Sequence, residues 1–168
     1  MDNFKDTVAG NSIFAGIPRV DLPRAKRVQS AVAARILIVD DERDIATLMT
    51  FVLEREGHAV ASVLNGQEAL AALGVEPLKP DISLPDLVLM DVMMPILDGV
   101  DAAKRIAAAP HARRLPIIVM TGKARETRLA LAGSTNVVGL LEKPFEPSQL
   151  REAVVKALPP ASPEVARG

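Results

Sequence analysis

From residue 35 to residue 158, short apolar runs alternate with segments in which apolar residues recur at helical spacing. The runs predict strands over 36–39, 58–64, 87–90, 117–120 and 137–141. The segments between them predict helices over 44–56, from the capping residue Asn65 to Leu73, and over 99–108, 124–132 and 147–158. Such alternation is typical of a parallel sheet that is covered by helices on both faces. The pattern therefore predicts an α/β fold with a doubly wound, five-stranded sheet.

The two ends of the chain interrupt this pattern. Residues 1–34 contain two prolines, two glycines and five basic residues against three acidic ones. We expect an N-terminal extension that is loose or forms one short helix over 22–34, with Asp21 as its N-cap. A frayed tail, a docking segment for a partner and a nucleic-acid arm are three interpretations of it. Residues 159–168 predict a short proline-rich tail, so we expect the folded domain over 35–158.

Composition narrows the class of function. The chain has 20 Lys and Arg against 21 Asp and Glu, so no bulk charge points to nucleic acid or to an acidic membrane. It has no cysteine and two histidines, which excludes disulfides, a cysteine nucleophile and thiolate metal sites and argues against a multi-histidine site. Aromatic residues make up 2%, too few for a base-stacking platform. No apolar stretch is long enough for a membrane span, and we expect a soluble cytoplasmic domain.

Polar residues stand at the ends of four predicted strands. Asp40 and Asp41 follow the first strand, Asp91 the third, Thr121 the fourth and Lys143 the fifth. In a parallel sheet these ends share one edge, where ligands bind. Clustered carboxylates repel one another, and a hard divalent cation such as Mg²⁺ relieves that repulsion. A hydroxyl and an ammonium beside a metal suit phosphoryl transfer, in which one carboxylate can be the nucleophile. Taken alone, the aspartates also fit turn or helix-cap residues, Thr121 a turn hydroxyl and Lys143 a solvated lysine before a proline.

Four motifs at these strand ends resemble those of response regulator receiver domains, the CheY-like family. They are ILIVDDE at 36–42, LVLMDVMMPILDG at 87–99, IIVMTG at 117–122 and LLEKPF at 140–145. Their order also fits the family, as do the gaps of 30 residues from Asp91 to Thr121 and 22 from Thr121 to Lys143. The resemblance covers residues 35–158. It implies a flavodoxin-like (βα)5 sheet with the strand order 2-1-3-4-5, as in flavodoxin and CheY.

By this resemblance, Asp91 is the phosphoacceptor, and the acidic residues around it hold Mg²⁺ or Mn²⁺ together with Asp91 itself. Asp41 is implied to be a direct metal ligand. Asp40 is implied to bind the metal or to hold one of its waters. The backbone carbonyl of Met93 is implied to be a further ligand.

The resemblance also assigns residues around the phosphoryl group. Lys143 is implied to pair with the acceptor or with its phosphoryl group, and Thr121 to bond a phosphoryl oxygen and to move on activation. The Lys143–Pro144 bond matches the family's cis peptide. Pro95 and Gly99 are implied to shape the loop after the acceptor and the start of the third helix.

Three features depart from the family pattern. Leu140 stands where a switch Tyr or Phe is usual, and a leucine can neither swing a ring nor present a hydroxyl. It also fits a core residue. Gly122 follows Thr121 at a position where alanine is commonest in the family. Without a side chain there, the expected phosphoryl group is less covered on that side. The loop 74–85 is longer than usual, and we expect it on the side opposite the site because it enters the third strand from its amino end.

These features predict a stand-alone receiver that accepts a phosphoryl group from a sensor histidine kinase or a histidine phosphotransfer protein and regulates a partner protein. We expect the partner at the face of the fourth helix, fifth strand and fifth helix, and a bacterial protein that is a monomer or a weak dimer. An alternative is a phosphorelay shuttle or phosphate sink, which Leu140 favours. A remote alternative is an Asp-nucleophile phosphatase of the haloacid dehalogenase class. Its general acid would fall at Met93, which carries no acid, so we expect no activity on external substrates.

Overall fold

The computed structural model describes residues 13–14 and 33–158, and five strands alternate with five helices in this part of the chain. The strands are β1 (Arg35–Val39), β2 (Ala59–Val63), β3 (Leu87–Asp91), β4 (Ile117–Thr121) and β5 (Val137–Glu142). The helices are α1 (Arg43–Arg55), α2 (Gly66–Ala72), α3 (Gly99–Ala108), α4 (Ala124–Ala130) and α5 (Pro147–Ala157).

The strands form one parallel sheet in the order β2-β1-β3-β4-β5, which confirms the predicted fold. Each of the first four helices returns the chain to the starting edge of the sheet, so all five strands run in the same direction. The register aligns their carboxyl ends, since Val39 lies beside Met90 and Asp91 beside Met120. The residues that end or follow the strands therefore lie at one edge of the sheet, its carboxyl edge.

Apolar side chains cover both faces of this sheet. On β1, Ile36 and Ile38 pack in the layer that contains residues of α1 and α5, whereas Leu37 and Val39 pack in the layer that contains residues of α2 and α3. Successive side chains of a strand point to opposite faces, so a strand buried on both sides is an unbroken apolar run. The strands β3 and β4 are buried along their whole length. This burial fixes the positions of their terminal residues.

Helix α3 has the predicted bounds, and the other elements differ from the predicted ones by one or two residues at their ends. Helix α4 ends at Ala130, two residues before the predicted end, and the chain then turns at Gly133, whose φ is +85°. Helix α2 begins after Asn65, whose side chain accepts a hydrogen bond from the Glu68 backbone N–H at 2.9 Å. The predicted capping role of Asn65 is thus confirmed.

Two predicted segments fall mainly outside the described residues. The helix predicted over 22–34 is described only at residues 33–34, which are not helical, and the tail 159–168 is not described. Among the helices that are described, none has the length and apolar character needed to cross a membrane.

Arg35 ties the loop between α2 and β3 to the amino end of β1. Its guanidinium donates hydrogen bonds to the Ser83 hydroxyl at 2.8 Å and to the Leu84 carbonyl. Its backbone N–H donates to the Asp86 carboxylate at 2.7 Å. The guanidinium also lies 5.5 Å from the centre of the buried Phe14 ring, within reach of a cation–π interaction. Because Arg35 is the first residue of β1, these contacts lie at the amino edge of the sheet, opposite the carboxyl ends of the strands, as predicted for this loop.

His58 is a buried histidine between α1 and β2. The Ala34 backbone N–H donates to its Nδ1 at 3.1 Å, so that nitrogen has to be unprotonated. Burial lowers the pKa of His58 below its ordinary value of 6.5, and the carboxylate of Glu56 offsets part of this effect. The folded protein therefore favours the neutral ring at a pH where the unfolded chain already takes up a proton.

We expect the free energy of unfolding to fall as the pH drops below about 6.5, because only the unfolded chain then protonates His58. In His58→Asn, the side-chain oxygen can still accept the Ala34 N–H, but nothing titrates at this position. Urea unfolding between about pH 5 and about pH 7 should show a smaller pH dependence for the variant than for the wild type. Equal pH dependence in the two proteins would show that His58 does not control this loss of stability.

Candidate functional site

Four of the polar residues predicted at strand ends meet at the carboxyl edge of the sheet. Asp40 follows β1, Asp91 ends β3, Thr121 ends β4 and Lys143 follows β5. Asp40, Asp91 and Thr121 are buried, with at most 4% of each residue exposed. The parallel sheet thus brings together side chains that lie up to 103 residues apart in the sequence.

Three carboxylates form a cluster at this edge. One oxygen each of Asp40, Asp41 and Asp91 lies within 4.8 Å of the others. Asp40 and Asp91 are buried, whereas Asp41 is exposed. Like charges this close repel strongly where water is partly excluded. The cluster therefore needs positive charge beside it.

Lys143 supplies one positive charge. Its Nζ lies 3.2 Å from Asp40 Oδ2, 3.2 Å from Asp91 Oδ1 and 3.8 Å from Glu42 Oε1. The other oxygen of Asp40, Oδ1, accepts the backbone N–H of Glu42 at 2.9 Å. The ammonium of Lys143 thus bridges the ends of β1 and β3 and holds both buried carboxylates in place.

Burial and charge oppose each other in this ion pair. Burial raises the pKa of Asp91, the Lys143 ammonium lowers it, and the carboxylates of Asp40 and Asp41 raise it again, with a net rise. Burial lowers the pKa of Lys143, but Asp40 and Asp91 together outweigh it, and the pKa rises. Lys143 therefore stays protonated, and a further cation at the cluster favours the ionised form of Asp91.

The donor set of the cluster fits a hard divalent cation. The cluster has three carboxylates, and the Lys143 ammonium contacts two of them, those of Asp40 and Asp91. Oxygen donors suit Mg²⁺ or Mn²⁺ better than a metal that prefers nitrogen or sulfur. The exposed Asp41 offers an oxygen toward solvent, where Mg²⁺ can keep several of its waters.

Thr121, the last residue of β4, accepts two hydrogen bonds. Its Oγ1 accepts the backbone N–H of Lys123 at 3.0 Å and the hydroxyl of Thr127 at 3.0 Å. The sequence analysis did not single out Thr127. A helix over 124–132 places residue 127 on the same face as Leu131, which is buried, and that spacing was a usable signal.

The loop after Asp91 packs closely against the end of β3 at Gly99. The Gly99 N–H donates to the Val92 carbonyl at 2.9 Å, and a Cβ added to Gly99 would overlap the Asp91 carbonyl oxygen. Glycine alone permits this approach. Met93 and Pro95 lie on this loop, and both residues are exposed.

Three other positions from the sequence analysis lie nearby. The Lys143–Pro144 peptide bond is cis, as the resemblance implied. Gly122 is exposed, and a Cβ added to it would meet no atom within 4 Å. Leu140 is half-buried beside Val119 and belongs to neither of the two buried apolar layers, so it is not a core residue.

Two apolar surfaces adjoin the site. On α4, β5 and α5, the side chains of Leu129, Val138 and Val155 are each more than half exposed. A groove of about 320 Å³ lies between α1 and the start of α5, and Leu48 and Lys143 are among the residues that line it. Lys143, which lines this groove, also contacts the carboxylates of Asp40 and Asp91. Exposed apolar surface of this kind is typical of protein-binding sites.

Sequence comparisons match this chain to signalling proteins. A family model described as the response regulator receiver domain matches residues 36–155. The phosphate regulon transcriptional regulatory protein PhoB of Rhizobium meliloti (strain 1021) is 33% identical over 131 residues, which cover 78% of this chain and 55% of PhoB. The chain spans about half the length of the first curated relatives that it matches.

Solved structures agree with this match. Chemotaxis response regulator CheY4 of Vibrio cholerae superposes with a TM-score of 0.62 at 26% identity, over 75% of this chain and 99% of CheY4. The receiver domain of sensor histidine kinase PA1611 from Pseudomonas aeruginosa PAO1 has a TM-score of 0.62 at 28% identity, over 74% of this chain and 97% of that domain. The latter structure has a magnesium ion coordinated in its active site cleft.

Two glycines beside the site provide a matched test of the packing around Asp91. We expect Gly99→Ala to destabilise the protein by about 1–3 kcal/mol or more, because the new Cβ displaces the end of β3 or the start of α3. Gly122→Ala should be neutral or stabilising by up to about 1 kcal/mol, because its Cβ has open space and the unfolded chain loses freedom. Urea unfolding measures both, and equal stability of the two variants would contradict the close approach at Gly99.

Proposed function

The chain belongs to the response regulator receiver family, and we propose that Asp91 is the residue on which it accepts a phosphoryl group. The observation that carries this proposal is the surroundings of Asp91. Its buried carboxylate ends β3, contacts the Lys143 Nζ at 3.2 Å and lies within 4.8 Å of the Asp40 and Asp41 carboxylates. The family match supports phosphorylation-dependent signalling, and receiver domains bind Mg²⁺ at an acidic site.

In the proposed reaction, a carboxylate oxygen of Asp91 attacks the phosphorus of a phosphohistidine. The O–P bond forms while the P–N bond breaks, and the histidine ring leaves with the electron pair of that bond. Mg²⁺ or Mn²⁺, held by Asp40, Asp41, Asp91 and the Met93 carbonyl, would supply positive charge to the phosphoryl oxygens. Lys143 adds an ammonium, already placed against Asp91 at 3.2 Å.

The residues around the acceptor take supporting roles in this proposal. Thr121 donates its hydroxyl hydrogen to a phosphoryl oxygen. Gly99 and Pro95 hold the loop after β3 in the course that it takes, and Pro144 sets the direction of the chain after Lys143. Gly122, exposed and without a side chain, leaves the phosphoryl group open to water on that side.

We assign the groove between α1 and the start of α5 to the phosphodonor protein. A donor has to bring a phosphohistidine to Asp91, and this groove shares Lys143 with the Asp91 ion pair. Apolar side chains such as Leu48 provide contact area for a protein there. The donor class is a sensor histidine kinase or a histidine phosphotransfer protein, in the bacterial cytoplasm.

The face of α4, β5 and α5 is the proposed site of a regulated partner protein. It carries the exposed apolar residues Leu129, Val138 and Val155, and β5 is an edge strand, bonded to β4 alone among the strands of residues 33–158. A free strand edge and exposed apolar groups favour protein contacts. Phosphorylation of Asp91 biases this face through Thr121, and the partner binds the favoured state.

A phosphorelay shuttle or phosphate sink is the second candidate function. The observation that favours it is Leu140, a half-buried leucine with no ring to rotate. In a shuttle the lifetime of the phosphoryl group on Asp91 matters more than a change of surface. An Asp-nucleophile phosphatase has less support, because the exposed Met93 side chain offers no general acid.

Acetyl phosphate and Mg²⁺ test the acceptor. We expect intact-mass measurement to show one added phosphoryl group on the full chain and none on Asp91→Ala. Lys143→Ala should slow the reaction by roughly 10²-fold, as does removal of one positioned charge or donor in other enzymes. Asp101→Ala, at an exposed carboxylate on α3, should match the wild type. An adduct that persists in Asp91→Ala, or its absence from the wild type, would overturn the assignment.

Partner capture separates the effector from the shuttle. The full chain is immobilised with Mg²⁺, with or without beryllofluoride as a phosphoryl mimic, and the bound proteins are identified by mass spectrometry. An effector should retain a partner more strongly with beryllofluoride, and Val138→Glu should lose that partner while it still forms the phosphoryl adduct. Equal capture in both states, together with a long-lived adduct, would favour the shuttle or sink.

A further inference from the structure

Helix α4 has one buried side chain among its seven residues, that of Thr127. Ala124 is half-buried, and the other five residues of the helix are exposed, including the large apolar Leu129. Helices on a sheet are usually held by a stripe of buried apolar side chains. The most buried contact of α4 is therefore a polar one, made at a single position.

The hydroxyl of Thr127 bonds the hydroxyl of Thr121. The two Oγ1 atoms are 3.0 Å apart, and both residues are buried, at 3% and 1% exposed. Thr121 Oγ1 also accepts the backbone N–H of Lys123, at 3.0 Å. A hydroxyl has one hydrogen and two acceptor positions. These two donated bonds fill the acceptor positions of Thr121, so its own hydrogen is free to point to a third group.

We propose that Thr127 is a positioning residue that couples Thr121 to helix α4. The coupling rests on the proposed function, in which Thr121 donates its hydrogen to a phosphoryl group on Asp91. Because that donation uses the hydrogen alone, the bond from Thr127 is kept, and movement of Thr121 toward Asp91 draws α4 with it. In this protein the hydroxyl pair connects the site to α4, and Leu140 contributes no ring to that connection.

The bond is tested first without phosphorylation, by amide hydrogen exchange in the full chain. Thr127→Val keeps the shape of the side chain and removes its hydroxyl. Thr121→Val removes the same bond from the other side, together with the bond from the Lys123 N–H. We expect either change to speed exchange of the Leu131 N–H, which donates to the Thr127 carbonyl at 3.0 Å, by roughly tenfold, the usual effect of one buried hydrogen bond. The double variant should be no faster than Thr121→Val alone, because that variant already lacks the bond between the two hydroxyls.

Two controls separate the hydroxyl bond from packing. Thr127→Ser keeps the hydroxyl and should exchange as the wild type does. Leu129→Ala changes an exposed position of the same helix and should not speed exchange. If Thr127→Ser or Leu129→Ala accelerates exchange as much as Thr127→Val, or if the effects of the two valine substitutions simply add, the proposal is wrong. Should Thr127→Val fail to fold, Thr127→Ala, which also lacks the hydroxyl, replaces it in the comparison with Thr127→Ser.

The response to phosphorylation is tested with beryllofluoride and Mg²⁺. The wild type and Thr127→Ser should change the exchange rate in α4 when the adduct forms, whereas Thr127→Val should form the adduct with little change in α4. An unaltered α4 response in Thr127→Val would overturn the coupling. A wild type that forms no adduct would instead refute the proposed function of Asp91. The exchange data without phosphorylation would then still decide whether the hydroxyl pair holds α4.

Discussion

One lysine ammonium between two buried carboxylates is the interaction on which this site depends. Lys143 Nζ lies 3.2 Å from an oxygen of Asp40 and 3.2 Å from an oxygen of Asp91, while Asp41 adds a third carboxylate nearby. Burying any of these charges alone would be costly. Together they form an arrangement with more negative than positive charge, which favours the binding of a divalent cation. That cation can then balance the negative charge of a phosphoryl group.

The fold is what makes this arrangement stable. Two apolar layers press helices against both faces of the sheet, and β3 and β4 are buried from end to end. A buried strand cannot slip by one residue without exchanging its two faces, so the position of Asp91 is set by the whole apolar pattern of β3. At Gly99 the chain packs so closely on the Asp91 carbonyl that a side chain does not fit. Stability and acceptor geometry therefore depend on the same contacts.

The fold could be predicted because its signal is repeated and local. Each buried strand is an apolar run, the helices other than α4 have a buried apolar stripe, and five strand–helix pairs leave few topologies. The meeting of Asp40, Asp91, Thr121 and Lys143 followed from that topology, because parallel strands end at one edge. The metal ligands and the phosphoacceptor role came from family resemblance, and they remain proposals for this chain.

What could not be predicted depends on contacts between side chains distant in sequence. Nothing in the pattern shows that Arg35 links Phe14 to the loop before β3, since all three lie in different segments. Thr127 was missed because periodicity identifies apolar faces, and a threonine on such a face adds little to the signal. Its hydroxyl matters only because Thr121 lies 3.0 Å away. The burial of Asp40 beside the exposed Asp41 also needs the three-dimensional structure, because the two residues are identical in type and adjacent.

These features describe a charge-paired carboxylate cluster beside a helix with one buried side chain. We propose that Asp91, and no other carboxylate of the cluster, carries the phosphoryl group in a reaction that needs a divalent cation. Borohydride reduction of the phosphorylated full chain converts an aspartyl phosphate to homoserine, and peptide mass spectrometry then locates it. We expect homoserine at position 91 alone, and only when Mg²⁺ was present during phosphorylation. Homoserine at position 40 or 41, or at position 91 after reaction without a divalent cation, would contradict it.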